Sequence, residues 1–398
     1  MRVVHIINGL GTGGAEMMLL KLVSHTDRKR FESTIVSLRD YGGLRSKFKD
    51  MGVPVYTLGM RPSLATPRCI WRLAKTIRQL NPDLIQGWMY HSNLAAQLAG
   101  SLQPKPTPVL WNVRGSHYVL KEQKPQTAAI IWLSGKLSAL PAKIINNSTV
   151  SAINHHRRLS YRADRQVIIP NGFDTLTFVP SLEARQSVRS ELRLADDAVL
   201  IGLIARYDGM KDHANFVRAA SLLVKTNSDV HFLLAGNGVD QNNEALTRMI
   251  RNQPVSDRLH LLGERSDIPR LTAALDIATS SSAHSEGFSN TIGEAMSCGV
   301  PCVATDVGDS AFIVGDTGRI VPPRDEEALA KAWGDLLALG QERLRELGAM
   351  ARQQVIEKFS LDAVVHQYEV LYEQVLSESR VQSEPRNSSS ILSLMNGR

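Results

Sequence analysis

Short apolar runs rich in β-branched residues alternate along the chain with longer stretches whose apolar positions recur every three or four residues. The runs Val3–Ile7, Ser33–Leu38, Val53–Leu58, Leu84–Gly87, Val109–Val113 and Lys143–Asn147 predict strands, with Glu16–Leu22, Ile70–Leu80 and Asn93–Leu102 as helices among them. Alternation of this kind calls for parallel strands, because each crossover helix returns the chain to the same end of the sheet. Turn formers collect in residues 172–182, and the pattern then begins again with strand candidates at Val199–Ala205, Val230–Ala235, Leu259–Leu262, Ile277–Ser280 and Pro301–Ala304. The sequence therefore predicts an α/β protein of two Rossmann-like, doubly wound domains, residues 1–175 and 176–358. A helix at 359–377, with Val364, Val365, Tyr368, Leu371, Tyr372 and Val375 near helical spacing, is expected to cross back to the first domain, and 378–398 reads as a disordered tail.

Composition is compatible with that division: 398 residues, 43% of them hydrophobic, suffice for two buried cores. The cysteines Cys69, Cys298 and Cys302 form neither a disulfide framework nor, with histidines, a zinc pattern. A first strand that starts at Val3 leaves no room for a signal peptide, and no apolar run is long enough to span a bilayer, so the expected location is the cytoplasm. Charge changes the picture more than composition does. Residues 1–180 carry 24 Lys+Arg against 9 Asp+Glu, whereas the rest carries 22 against 30, so the net +7 hides two halves of opposite sign. A basic half attracts nucleic acid, anionic lipid or a pyrophosphate-bearing substrate. With no zinc finger, RNA-binding aromatic signature or dense basic tract, nucleic acid ranks last and is not expected as a partner. Arg68–Leu80 and Thr127–Leu140 combine basic residues with Trp71 and Trp132. Either could rest on the inner face of an anionic membrane, or be an ordinary helix packed on a sheet.

Two places carry candidate chemistry. The first strand runs into Asn8-Gly9-Leu10-Gly11-Thr12-Gly13-Gly14-Ala15-Glu16, a glycine-rich turn opening a helix, where absent side chains let backbone approach a ligand and free N–H groups face an anion. A tight turn without a ligand would look the same. So would a nicotinamide dinucleotide site, for which Asp40, just past the second strand, would hold a ribose. More specific is Ser285-Glu286-Gly287-Phe288-Ser289-Asn290-Thr291-Ile292-Gly293-Glu294: Glu286 falls in the turn after a strand and Glu294 about one turn into the next helix. Two carboxylates thus flank a helix start at the sheet edge where such folds bind ligands. Carboxylates suit sugar hydroxyls, and the N–H groups of Ser289, Asn290 and Thr291 suit a phosphate. A lone first-turn glutamate more often only offsets the helix dipole; two of them with Gly287 and Phe288 between are less easily explained that way.

These residues reproduce the Glu-x7-Glu motif, and the chain resembles the family 4 retaining glycosyltransferases of GT-B architecture. Similar blocks follow in the family's order: Gly13-Gly14-Ala15-Glu16, Ile169-Pro170-Asn171-Gly172-Phe173-Asp174, Ala205-Arg206 with Lys211, Gly263-Glu264-Arg265-Ser266-Asp267, and Glu294-Ala295-Met296 with Gly299-Val300-Pro301. The likeness extends over roughly residues 1–375 and is greatest to members that build bacterial surface polysaccharides. It implies an interdomain cleft, a nucleotide-sugar donor with UDP favoured over GDP-mannose, a lipid-linked glycan acceptor, retention, and no metal or other cofactor, in keeping with the absence of an Asp-x-Asp signature. By resemblance, Arg206 and Lys211 hold the diphosphate, Glu294 the ribose and Glu286 the donor sugar. Arg265 and Ser266 lie by the base, Phe288 with Ser289 to Thr291 lines the site, Gly14 approaches phosphate or sugar, and His91 touches the sugar or the developing charge. His91 could equally be a loop residue capping the next helix; Glu16 is assigned to the acceptor. Ala205 and Asp212 stand where many members have glycine. A fold retained as an inactive assembly scaffold is the alternative outside catalysis.

Overall fold

A computed structural model describes residues 1–60, 67–115, 120, 123–227 and 229–383. Seven parallel strands form the first sheet: β1 (Arg2–Ile7), β2 (Glu32–Ser37), β3 (Val55–Thr57), β4 (Leu84–Trp88), β5 (Val109–Val113), β6 (Lys143–Asn146) and β7 (Gln166–Ile168), in the order β3-β2-β1-β4-β5-β6-β7. Six parallel strands form the second: β8 (Val199–Ile204), β9 (Val230–Ala235), β10 (Leu259–Leu261), β11 (Ile277–Ser280), β12 (Cys302–Thr305) and β13 (Arg319–Val321), in the order β10-β9-β8-β11-β12-β13. Each sheet is covered on both faces by helices, which is why strands such as β4, β5 and β12 are buried along their whole length and read as apolar runs without alternation. Each face has its own core; Trp88 and Phe31 anchor one and Phe216 with Trp333 another.

The chain passes between the lobes twice, and the two passages touch. Phe173 N–H donates to the Phe359 carbonyl (2.8 Å), and Leu361 N–H donates to the Phe173 carbonyl (3.0 Å). The final helix, Leu361–Ser383, lays Val364, Val365, Tyr368, Leu371, Tyr372 and Val375 into the core of the first sheet. Two boundaries differ from the sequence reading. Phe359 ends the preceding helix, Gly340–Phe359, and the last helix begins after Ser360, whose ψ of 155° breaks the run. That helix also continues through residues 378–383, where a disordered tail is expected; the remainder, 384–398, lies outside the described residues.

Candidate active site

In a doubly wound sheet the crevice opens where strand order reverses, because adjacent crossovers there leave on opposite faces. That point lies between β1 and β4 in the first lobe and between β8 and β11 in the second. The predicted residues gather at the carboxyl ends of those four strands. Gly14 and Glu16 follow β1, His91 follows β4, Arg206 and Lys211 follow β8, and Glu286 to Glu294 follow β11. The lobes meet beside this edge, where Asn171 Nδ2 donates to Asn290 Oδ1 (2.8 Å) and to the Phe288 carbonyl (3.3 Å), while within the first lobe Lys21 Nζ donates to the Gly172 carbonyl (3.4 Å).

On the second lobe Lys211 Nζ is ion-paired with Glu286 Oε2, both side chains mostly buried. Ser282 Oγ donates to the same carboxylate oxygen (3.0 Å), and Ser281 Oγ donates to the Lys211 carbonyl (2.8 Å), so the end of β11 fixes both members of the pair. Arg206 is 61% exposed, ion-paired with Asp208 (3.2 Å) and in weak contact with Met210 Sδ (3.7 Å), an exposed arrangement that a phosphate would readily displace. The Met210 N–H, with Arg206 adding, keeps the Asp208 carboxyl below its usual range. Asp212, one of the departures from the family pattern, is left-handed at φ 48°, the conformation for which glycine is the common choice. Its carboxylate accepts from Asn215 N–H (3.1 Å) and caps the helix His213–Leu223, which offsets the cost. Ser285 (φ 60°) precedes Glu286 and Met89 (φ 67°) stands two residues before His91. Left-handed backbone thus neighbours three of the candidate catalytic residues, as it also does turns remote from them at Asn81, Ser160, Arg193, Asn252 and Arg324.

Glu294 lies in the first turns of the helix Asn290–Ser297, half-buried and without a hydrogen-bond partner for its carboxylate among the described residues. Burial pushes this carboxyl up to about 7, with Lys21 of the first lobe pulling weakly the other way. The helix start at Ser289 has no side-chain cap, so an acceptor-poor helix end and an unsatisfied acid stand side by side. Not every assigned residue reaches this space. The Phe288 ring is buried against Phe173 and Phe359 and lines no cleft. Arg265 is claimed by Asp267 (2.8 Å) and Glu191 (2.8 Å), acids that raise its pKa and leave it a structural cation; Ser266 beside it is exposed.

The first lobe brings different chemistry. A side chain on Gly14 would meet nothing within 4 Å, so its backbone faces open space. Glu16 folds back over the start of its own helix, where its Oε2 lies 2.5 Å from the position of a Cβ on Gly13. A carboxylate there already satisfies the helix dipole and disfavours a phosphate. The Tyr41 ring covers Gly9, and Asp40 is turned outward to Arg45 (3.4 Å), so the face a dinucleotide ribose would need is closed. His91 is exposed in the first turn of the helix Met89–Ser101; desolvation, then the charge of Arg39, lowers its pKa and favours the neutral imidazole.

Residues 12–176 match the family model described as Glycosyltransferase Family 4, and residues 198–338 match the model described as Glycosyl transferases group 1. The chain belongs to the family 4 glycosyltransferases. N-acetyl-alpha-D-glucosaminyl L-malate synthase of Bacillus anthracis is 29% identical over 195 residues, 48% of this chain and 50% of that protein. UDP-Gal:alpha-D-GlcNAc-diphosphoundecaprenol alpha-1,3-galactosyltransferase of Escherichia coli is 25% identical over 210 residues, 52% of this chain and 53% of that protein. The match spans about half the length of each relative. The crystal structure of Anabaena HepE in complex with UDP superposes with a TM-score of 0.80 at 21% identity, covering 94% of this chain and all of that one, a likeness of fold. Sequence reasoning left out several residues that contact the candidate cluster or its neighbours. Ser282 was signalled by an unusual run of three buried serines, Ser280 to Ser282, leaving β11. Asn171 reads as a turn former. Arg114, which donates to Tyr368 Oη (2.8 Å) and to Asn171, gave no signal at all.

Proposed function

We propose that this transferase moves a hexose or N-acetylhexosamine from a UDP-sugar to a lipid-linked glycan, with retention and without a metal ion, in polysaccharide synthesis. One observation carries the reading: Glu294, whose carboxyl has no hydrogen-bond partner among the described residues, stands beside an uncapped helix start and within the same strand-end cluster as Lys211, Glu286 and Arg206. A pair of ribose hydroxyls supplies the two donors that Glu294 lacks. Arg206 and Lys211 supply fixed positive charge where the departing diphosphate gains negative charge as its bond to the anomeric carbon breaks. The acceptor oxygen bonds to that carbon from the same face, and its proton passes to the leaving phosphate oxygen. Neutral His91 and the carboxylate of Glu286 hold the sugar hydroxyls, Glu286 with no covalent role. The UDP choice is supported by HepE, which shares the fold and was crystallised with UDP, and the lipid-diphosphate acceptor by the E. coli relative, a galactosyltransferase for GlcNAc-diphosphoundecaprenol, and by the basic first half. An inactive scaffold would have no use for the intact pairs Glu286 with Glu294 and Arg206 with Lys211.

Titration calorimetry tests the donor: UDP is expected to bind at least roughly tenfold tighter than GDP, a difference of about 1.4 kcal/mol. Tighter GDP binding would move the donor to GDP-mannose, and binding of neither would sink the nucleotide-sugar reading. The acceptor side predicts peripheral membrane contact at the cytoplasmic face. No described helix is long and apolar enough to cross a membrane, but Trp71 (62% exposed) and Trp132 (53%) project from helices Pro67–Leu80 and Pro125–Lys136 with Lys75 and Lys136 over their rings. The protein is expected to sediment with anionic vesicles at low salt and to be released by salt. Equal recovery with neutral vesicles would remove this part of the proposal.

A further inference from the structure

One buried carboxylate that joins the lobes belongs to none of the assigned sites. Asp309, 4% exposed, follows β12 in the second lobe, yet its carboxylate is spent entirely on the first. Oδ2 accepts from Thr149 N–H (2.7 Å), and Oδ1 accepts from Val150 N–H (3.1 Å) and Ser148 Oγ (3.0 Å). These groups open the helix Thr149–Leu159 after β6, and Ser148 itself accepts from Ser151 N–H (3.2 Å) as the local cap. A charge from one lobe thus completes the capping of a helix in the other, with the helix dipole adding to the attraction.

The other end of the same residue leads to the site. Asp309 N–H donates to the Gly287 carbonyl (2.9 Å). Gly308 beside it is left-handed (φ 65°) and packed so closely that a Cβ would lie 2.4 Å from the Glu286 carbonyl oxygen. The loop bearing Glu286 and the grip on the first lobe are consecutive hydrogen-bonded steps of one chain segment. We propose that Asp309 is a positioning residue for glycosyl transfer: it clasps the lobes and holds Glu286, with its Lys211 partner, at a fixed height above the first-lobe floor of the cleft. The proposal rests on the transferase reading above.

The test separates a clasp from a mere helix cap. Asp309→Ala is expected to lower kcat about tenfold while the Kd for UDP stays within about twofold, because the nucleotide half of the site lies wholly on the second lobe. Small-angle scattering with UDP bound should show a larger radius of gyration than wild type. The double variant Ser148→Asp/Asp309→Ala returns a strong cap to the helix without a bond across the lobes; it should regain wild-type Tm but not kcat or compactness. Recovery of full kcat in the double variant, or an unchanged kcat in Asp309→Ala, overturns the proposal. Failure of the wild-type protein to bind nucleotide would instead sink the transferase reading. The scattering comparison without nucleotide would still report on the clasp, and equal radii there would overturn it.

Discussion

Glu294→Gln should yield a protein that is more stable and a poorer binder of nucleotide. The folded state raises this carboxyl from 4.5 to about 7 by burial, so the acid prefers to be protonated when folded and ionised when unfolded. The stability contribution of the protonated acid is intact below pH 4.5 and is lost as the pH climbs through 7. Glutamine keeps the size and removes the titration, so its advantage should be small at pH 5 and reach on the order of 3–4 kcal/mol at pH 8, at about 1.4 kcal/mol per pKa unit. That corresponds to a rise in Tm of several degrees. Binding moves the other way: hydrogen bonds to an ionised acceptor contribute about 1.5–3 kcal/mol, so the Kd for UDP should weaken roughly 10- to 100-fold. Wild-type affinity should improve as pH rises through 7, while that of the variant stays flat. Melting curves and calorimetry across pH 5 to 9 check both halves. A variant that loses stability at pH 8, or binds like wild type, defeats the assignment.

Lys211→Ala is expected to show the larger kinetic effect. Fixed positive charge at a leaving group contributes about 100- to 1,000-fold to turnover in comparable sites. Because Lys211 is paired with a mostly buried Glu286, its removal also strands a carboxylate, and some loss of Tm should accompany the fall in kcat. Adding Glu286→Gln separates the two. The double variant should recover the Tm, since no unpaired charge remains, but not the turnover. If Lys211→Ala transfers sugar at the wild-type rate, the cation has no part in departure of the diphosphate.

Much of the fold was legible because β-branched runs such as Val3–Ile7 and Val230–Ala235 are buried from both sides and leave an unmixed apolar signature. Two of the four three-residue edge strands, Gln166–Ile168 and Arg319–Val321, were not, since Pro170 and Pro322 cut their apolar runs short. In the site, Glu286 and Glu294 could be placed because the helix that separates them fixes their offset. Arg265 could not be judged, because what commits it is Glu191, 74 residues earlier in the chain and adjacent only after folding. Phe288 misled for a related reason: a ring in a ligand loop and a ring in a core look alike until Phe173 and Phe359 arrive beside it. Asp309 was silent because its partners lie at residues 148–150, in the other lobe.

The hydrogen-bonded knot of Phe173 with Phe359 and Leu361 brings the start and finish of the second lobe to one spot. Residues 174–359 therefore behave as a cassette whose two ends plug into neighbouring sockets, while the last helix seals the first lobe on its own. Exchanging that cassette with a relative's would disturb no strand of the first sheet, and the preference for one nucleotide over another should travel with it.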